Sequence, residues 1–441
     1  MNMPDKPPDK HPQACQLMIV GAGMAGCAAA LFAAREGIST IQVGLTGETL
    51  FASGLFDLYG ATHETPRTLV DKPWPAIQRL KATCPAHPYS RVTIARIRSA
   101  MDQMTDFLAE AGQPYRGHEN HNVRLITSVG SIKRTYRVPV TMWAGVRALE
   151  TKAPCLVIDV VGLRGFSATQ IVETLKPAWP ALTGASIELS GENRLGPKYA
   201  EHIAHGLAVA EARRELAEAI RPHLGTCEVV GLPAILGIHD PEAVLRDLEA
   251  MLGRPVFEIP TMPPSIAGVR LKEAFDIHLP RLGVDTRFQH RALSAERLAD
   301  GRFSLQIGKL ESEGTVVADH LLLATGRFLG KGLTAERQGI RESLLHLPVV
   351  QPEHRGAWHR ETFLAPEGHA INLAGLAVDD QFRPLDSNGR PVYGNLYAAG
   401  SILAHQDWMR TKSGTGLAVA TALGAVDALK QALPFTTRRK E

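Results

Sequence analysis

"LMIVGAGMAGCAAALFAAREG", Leu17 to Gly37, decides the fold. An apolar run meets glycines at 21, 23 and 26, then an alanine-rich stretch that ends at Glu36-Gly37. This G-x-G-x-x-G spacing predicts a strand over 17–20, a tight turn, and a helix over 24–35 closed by a C-cap glycine. A second strand over 40–43 follows at βαβ distance. In dinucleotide-binding folds that next strand ends in Asp or Glu, which holds a ribose hydroxyl. Here it ends Val43-Gly44-Leu45, and the first acid, Glu48, arrives several residues late. The turn is that of a nucleotide site, but the grip on an adenosine ribose is weak or missing.

Two later segments belong with it. "DHLLLATGRFLGKG" is an apolar strand that stops at Ala324-Thr325-Gly326, and "GNLYAAGSI" is a short buried strand ending in Gly400-Ser401. Gly414 and Gly416 then open a long helix. Each has a plain reading alone: small residues let a helix approach a strand, Ala-Thr-Gly is an ordinary strand end, and Gly-Ser is an N-cap. Taken in order, they predict parallel strands whose ends line one crevice. Helix N-termini at the first and third turns would offer N–H groups to a phosphate and to other electron-rich ligand atoms. The set resembles the discontinuous flavin-binding domain of two-domain flavoprotein reductases and dehydrogenases. In that pattern the last strand commonly ends in an acid that holds the ribityl chain, and Ser401 stands in its place. With both acids absent, FMN asks for the fewest contacts; FAD held through Glu48 or backbone groups, and a site that binds nothing, stay open. Ser53 and Gly54 fall where such folds bring a loop over the phosphate or the ring. The expected cofactor set is therefore Gly21, Gly23, Gly26, Ser53, Gly54, Thr325, Gly326, Gly400, Ser401, Gly414 and Gly416.

The remaining sequence sets bounds. A length of 441 residues suits two or three domains or one large discontinuous one. With 48 Lys+Arg against 45 Asp+Glu, the chain lacks the charge excess of a nucleic-acid binder. No apolar run approaches the roughly 20 residues that cross a bilayer. The Pro-rich, charged start is expected to be a flexible tail over 1–14, with a second tail over 435–441. Five scattered cysteines without a C-x-x-C pair suggest buried thiols of a cytoplasmic protein, with no metal or iron–sulfur cluster held by this chain alone. Between about 91 and 262 helical stretches alternate with strands such as "APCLVIDVVG". The expected fold is α/β: a discontinuous Rossmann-like flavin-binding domain, 15–90 and 263–434, with an inserted α/β cap domain over 91–262. "RALSAERLADGRFSLQIG" predicts a hairpin turning at Asp300-Gly301.

With "FASGLFDLYG", "AHPYS", "PTMPPSIAGVRL", "GRFLGKGLTAERQGIRE" and "GNLYAAGSILAHQDWM", the chain from about Leu17 to Leu433 resembles the B subunit of anaerobic glycerol-3-phosphate dehydrogenase. That resemblance implies a flavoprotein binding FMN. It implies two partners as well: a larger FAD-containing subunit, and an iron–sulfur subunit that passes electrons to membrane quinone. It also implies a cytoplasmic protein, peripheral to the inner face of the membrane through those partners. "MRTKSGTGLAVA" departs from the family's more Gly- and Cys-rich turn by adding Arg410 and Lys412. Oxidising glycerol 3-phosphate to dihydroxyacetone phosphate requires a hydride acceptor, a base and a phosphate clamp. His405 is the candidate base and His87 a lesser one. Arg270, Lys272, Arg327, Arg410 and Lys412 are candidate clamps. A substrate site on the FAD-containing partner, with this chain as electron relay, is equally open. So are a flavin-free docking role and an NAD(P)H-dependent reductase, although Gly162 and Gly165 in "VVGLRGF" lack the second dinucleotide spacing.

Overall fold

The computed structural model describes residues 12–45, 47–189 and 197–433. In chain order the elements that position the site begin with β1 (Gln13–Val20), α1 (Met24–Arg35), β2 (Thr40–Gly44) and α2 (Ile94–Glu110). Then come β3 (Val123–Ile126), β4 (Ile132–Thr135), β5 (Cys155–Val160), β6 (Leu182–Ile187), β7 (Val229–Pro233) and β8 (Val256–Ile259). The chain continues through α3 (Ile266–Arg281), β9 (Asp285–Phe288), β10 (Arg291–Arg297) and β11 (Phe303–Gly308). It closes with β12 (Gly314–Leu323), β13 (Leu396–Ala398) and α4 (Gly414–Ala432).

The larger sheet runs β9-β2-β1-β12-β11-β10, with β13 added to β12. β9, β2, β1, β12 and β13 are mutually parallel, whereas β10 and β11 form the antiparallel hairpin that turns at Gly301. β12 is long enough to serve two neighbours. Its first half pairs with β11 and its last three residues, Leu321–Leu323, pair with β13. A parallel strand covered on both faces reads as an unbroken apolar run, and Leu17–Ile19 and Leu321–Leu323 are fully buried. α1 packs against α4, and alanine is the commonest buried residue of both, so the two axes can approach closely. This is the Rossmann-like α/β fold read from the sequence. One boundary differs: β1 starts at Gln13, inside the stretch read as tail. Gln13–Cys15 pair with Val316–Ala318, and Gln13 Nε2 donates to Asp285 Oδ2 at 2.9 Å. Hydrogen bonding, not burial, extends the strand, so apolar pattern gives no sign of it. Residues 1–11 and 434–441 lie outside the described residues.

A second, wholly parallel sheet, β8-β7-β5-β6, has its own apolar core. α2 precedes it in the chain but packs on α4, burying Ile97, Met101, Met104 and Phe107 in the first core. A buried ion pair joins the two sheets' surroundings. Arg270 on α3 (3% exposed) donates to both carboxylate oxygens of Glu258 on β8 (1% exposed), at 2.7 and 2.8 Å. Its remaining N–H groups reach the Gly237 carbonyl at 2.9 and 2.7 Å. Thr141 Oγ1 at 2.6 Å and the Leu236 N–H at 2.8 Å complete the Glu258 carboxylate. Arg270, a sequence candidate for clamping substrate phosphate, is therefore a closed structural pair. Burial pushes the Glu258 pKa up, but the Arg270 charge and these hydrogen bonds outweigh it, and the net shift is downward.

Removing one partner strands the other charge. Arg270→Met should lower unfolding free energy by about 3–5 kcal/mol in denaturant titration, and Arg270→Met/Glu258→Leu should recover most of that loss. Because the folded pKa of Glu258 is depressed, the pair's contribution is complete above the ordinary value of 4.5 and is lost as pH falls through the lower folded value. A single variant as stable as wild type at pH 7 would contradict this.

Candidate functional site

The strand register sets the site. Val20 pairs with both Val43 and Leu323, and Leu323 pairs with Ala398, so β2, β1, β12 and β13 end at one level. Backbone bonds carry that alignment one residue further: Gly21 N–H to Val43 O (2.7 Å), Ala324 N–H to Val20 O (2.8 Å), and Ala399 N–H to Leu323 O (3.0 Å). The first and second turns touch. Gly21 has φ +130°, and a Cβ there would collide with the Ala324 carbonyl. Gly44, the last residue of β2, lies under the backbone of Ala22, and its own missing Cβ makes that approach possible.

Above these ends opens a cavity of about 330 Å³. Gly21, Ala22, Gly23 and Thr325 line one side, and Val43, Gly44 and Leu45 another. Gly23 is the N-cap of α1 and supplies no side-chain hydrogen bond, so no cap occupies the first-turn N–H groups. Thr325 Oγ1 is buried without a partner. Arg291, at the start of β10, and Lys331 complete the wall, and neither side chain has a hydrogen bond or ion pair among the described residues. Glu342 also lines it, but this fully buried carboxylate accepts from the N–H groups of Leu344, Leu345 and Leu347. Among the described residues the cavity thus combines a positive helix end, two unpaired cations and no free carboxylate, a donor set that suits phosphate. Sequence reasoning missed Arg291, Lys331 and Glu342 although all three lie in segments it singled out, a hairpin and a family stretch, because neither reading placed those segments beside the first turn. The side chain of Glu48 lies outside the described residues.

The other expected residues do not line this cavity. Gly26 packs beneath the Gly21 carbonyl, and the Gly326 carbonyl packs against Gly332. The Gly400 N–H donates to Thr421 Oγ1 at 2.9 Å and its Cα meets Ala25. Ser401 brings no charge, and its carbonyl accepts from Arg327 and Gln406. Gly54 abuts Ala267, and its carbonyl accepts from Tyr115 Oη at 2.8 Å; Ser53 precedes it, partly buried. Gly414 faces the Trp408 ring, and Gly416 faces Tyr89 and Leu58 while its N–H donates to Asp57 O at 2.8 Å.

The expected phosphate clamps are mostly engaged by the protein itself. Arg327 donates to four backbone carbonyls: Ser401 (2.8 Å), Gln406 (2.7 Å), Leu403 (3.3 Å) and Asn372. Burial lowers its pKa to about 10 and Asp407 opposes the shift, so it remains a cation at neutral pH. Lys272 pairs with Asp276, and Arg410 donates to the carbonyls of His63, Glu64 and Pro366 and to Thr65 Oγ1. The Lys412 side chain alone of the five has neither a hydrogen bond nor an ion pair among the described residues. His405 has φ +62° and an exposed side chain; desolvation, then the Arg91 charge, lower its pKa, so it is neutral near pH 7. No hydrogen bond orients its ring among the described residues. His87 is a cap: its buried Nδ1 accepts from the Tyr89 N–H at 3.1 Å. Burial, then His63 and His405, push its pKa down to about 3. The turn after β5 is closed to a dinucleotide phosphate, since the Asp159 carboxylate (2.8 Å from Ala168 N) and Ser167 occupy the next helix's N-terminus.

A family model described as an FAD binding domain matches residues 16–417. A probable B subunit of anaerobic glycerol-3-phosphate dehydrogenase from Halobacterium salinarum is 30% identical over 432 residues, 95% of this chain and 98% of its own. The chain belongs to that family. The B subunit of the Vibrio vulnificus enzyme is 29% identical over 95% of this chain and 97% of its own, and that of Yersinia pestis 28% over 92% and 96%. A solved 3-ketosteroid delta1-dehydrogenase from Sterolibacterium denitrificans aligns over 96% of this chain and 100% of its own, at TM-score 0.42 and 10% identity, a likeness too loose to bear on function. The protein is accordingly a flavoprotein-type oxidoreductase subunit with a flavin-binding domain. Among the described residues no helix is long and apolar enough to cross a membrane, and no group of three or more His, Cys, Asp or Glu could hold a metal ion.

Arg327→Met would leave the Asn372 and Gln406 carbonyls without this donor, while those of Ser401 and Leu403 keep Gln406 Nε2. It should cost at least about 3 kcal/mol of stability in denaturant titration; a loss below about 1 kcal/mol would show that water replaces the guanidinium freely.

Proposed function

We propose that this chain is the flavin-carrying subunit of a quinone-linked glycerol-3-phosphate dehydrogenase complex. The complex oxidises sn-glycerol 3-phosphate to dihydroxyacetone phosphate and passes electrons through this chain's flavin towards an iron–sulfur partner. The observation that carries the reading is the uncapped N-terminus of α1 at a cavity it shares with the unpaired Thr325 hydroxyl. The bound flavin would supply two-electron uptake and stepwise release. The chain's own part is to seat a phosphate on Gly21–Gly23, to hold the second turn through Arg327, and to exclude water with the apolar wall of Val43 and Leu45. Gly26, Gly326, Gly400, Ser401, Gly414, Gly416, Ser53 and Gly54 then act by close packing around the cofactor's seat.

FMN is the first choice of flavin, because neither β2 nor β13 ends in a carboxylate. FAD is favoured by a different observation: the cavity runs past the end of β2 to Arg291 and Lys331, where a second nucleotide half would find room and charge. An electron-relay role, with glycerol 3-phosphate held by an FAD-containing partner, is supported by four of the five expected clamps being internally bound and by the lack of an orienting partner for His405. On this reading attachment to the inner face of the cytoplasmic membrane is through the iron–sulfur partner.

Heat-released cofactor should co-elute with FMN on reverse-phase chromatography. FAD would move the assignment to the second reading, and no flavin would favour a docking role. Gly23→Asp places a carboxylate against the bound phosphate and should give colourless protein with an unchanged fold; flavin content equal to wild type would contradict the phosphate turn.

A further inference from the structure

Four of the five cysteines, Cys15, Cys27, Cys155 and Cys227, are buried, and burial raises the pKa of each. Thiols enclosed in that way are inert towards reagents in solution. Cys84 differs. It is the C-cap of the helix Pro73–Thr83 and is partly exposed, with Ala82, Thr83, Pro85 and Ala86 around it open to solvent. Its Sγ lies 3.2 Å from His63 Nε2, and Thr83 Oγ1 donates to it from 3.9 Å.

The other ring nitrogen of His63, Nδ1, lies 3.3 Å from Tyr59 Oη. Tyr59 is 1% exposed, and burial pushes its pKa up to about 12, so the hydroxyl is neutral near pH 7. In the tautomer protonated on Nδ1, the ring donates to Tyr59 Oη and turns the Nε2 lone pair to the thiol. A nucleophile, a base within hydrogen-bond reach and a third group that sets the base's ring form the arrangement that activates serine and cysteine. The contact is not needed to tie down the His63 loop. Thr62 N–H donates to Thr68 O at 2.8 Å, Thr68 N–H to Thr62 Oγ1 at 2.9 Å, and Arg410 Nη1 to His63 O at 2.7 Å.

We propose that Cys84 is a modification site, a nucleophilic thiol that His63 deprotonates and that exchanges with low-molecular-weight disulfides. Nε2 takes the Sγ proton, and the thiolate attacks one sulfur of the disulfide. The old S–S bond breaks as the new one forms, and the departing thiolate takes the proton back from Nε2. One thiol and one disulfide are consumed and one mixed disulfide and one thiol are made, so no further oxidant is required. Tyr59, His63 and Cys84 lie outside the lining of the cavity above α1, and the site survives if the flavin reading fails.

Stopped-flow exchange of the full chain with dithiodipyridine, which releases a coloured thione, tests the site, with peptide mass mapping of the product and flavin content measured on the same samples. One thiol per chain should react in the fast phase and map to Cys84, and Cys84→Ser should remove that phase. Glutathione disulfide should leave its adduct on the same residue. His63→Ala should slow the fast phase about ten-fold or more at pH 7, and imidazole added to the buffer should restore part of the rate. A variant whose fold has opened would expose all five thiols, so His63→Gln is the second variant and should be as slow. Fast reaction at another cysteine would overturn the site. A His63 variant as fast as wild type, or a slow His63→Ala that imidazole leaves unchanged, would overturn the base.

Discussion

Arg327 sits one residue beyond the second turn with its guanidinium inside the protein, where four carbonyl oxygens of residues 372–406 converge on it. A charge in that position would be costly to bury alone, and the carbonyl dipoles are what make it tolerable. The consequence is geometric. Parallel pairing already brings the ends of β2, β1, β12 and β13 to one level. Beyond the strands, however, the chain leaves the sheet as irregular loops, and nothing in the ladder fixes where those loops go. The Arg327 fan does so for the third turn, holding Ser401, Leu403 and Gln406 to the end of β12.

The same logic separates the two kinds of cation in this protein. Arg270 and Arg327 are surrounded by their own acceptors and behave as pieces of the framework. Arg291 and Lys331 face open space beside an uncapped helix end, and the one acid among the described lining residues, Glu342, is already satisfied by three amides. Only the second kind retains a field that an anionic ligand can use. A flavin phosphate is the ligand that the family membership and the turn geometry share.

Much of the first unit was legible in the sequence because its signals are local. The glycines at 21, 23 and 26 mark a turn that only a strand and a helix can flank, and the observed α1 spans the predicted 24–35. The run at Leu321–Leu323 is apolar on both faces, which fixes it as an interior strand. The start of β1 was not legible, since Gln13 and Ala14 pair through backbone and a side-chain amide. Nor were the cavity's far walls, because Arg291 and Lys331 read like any surface cations until the fold places them beside Gly23. The later glycines teach a related lesson. Gly414 and Gly416 look in sequence like places cleared for a ligand, yet Trp408 and Tyr89 take up that room. A missing Cβ says that something comes close and leaves open whether it is cofactor or protein.

Hydrogen–deuterium exchange on the chain stripped of flavin and then reloaded addresses the common crevice most directly. The account predicts slower exchange on loading at Ala22–Met24 and at Thr325–Arg327 together, with the β3–β4 hairpin unchanged. Protection that fell on other segments, or on one turn without the other, would contradict a single cofactor seat at the joined strand ends.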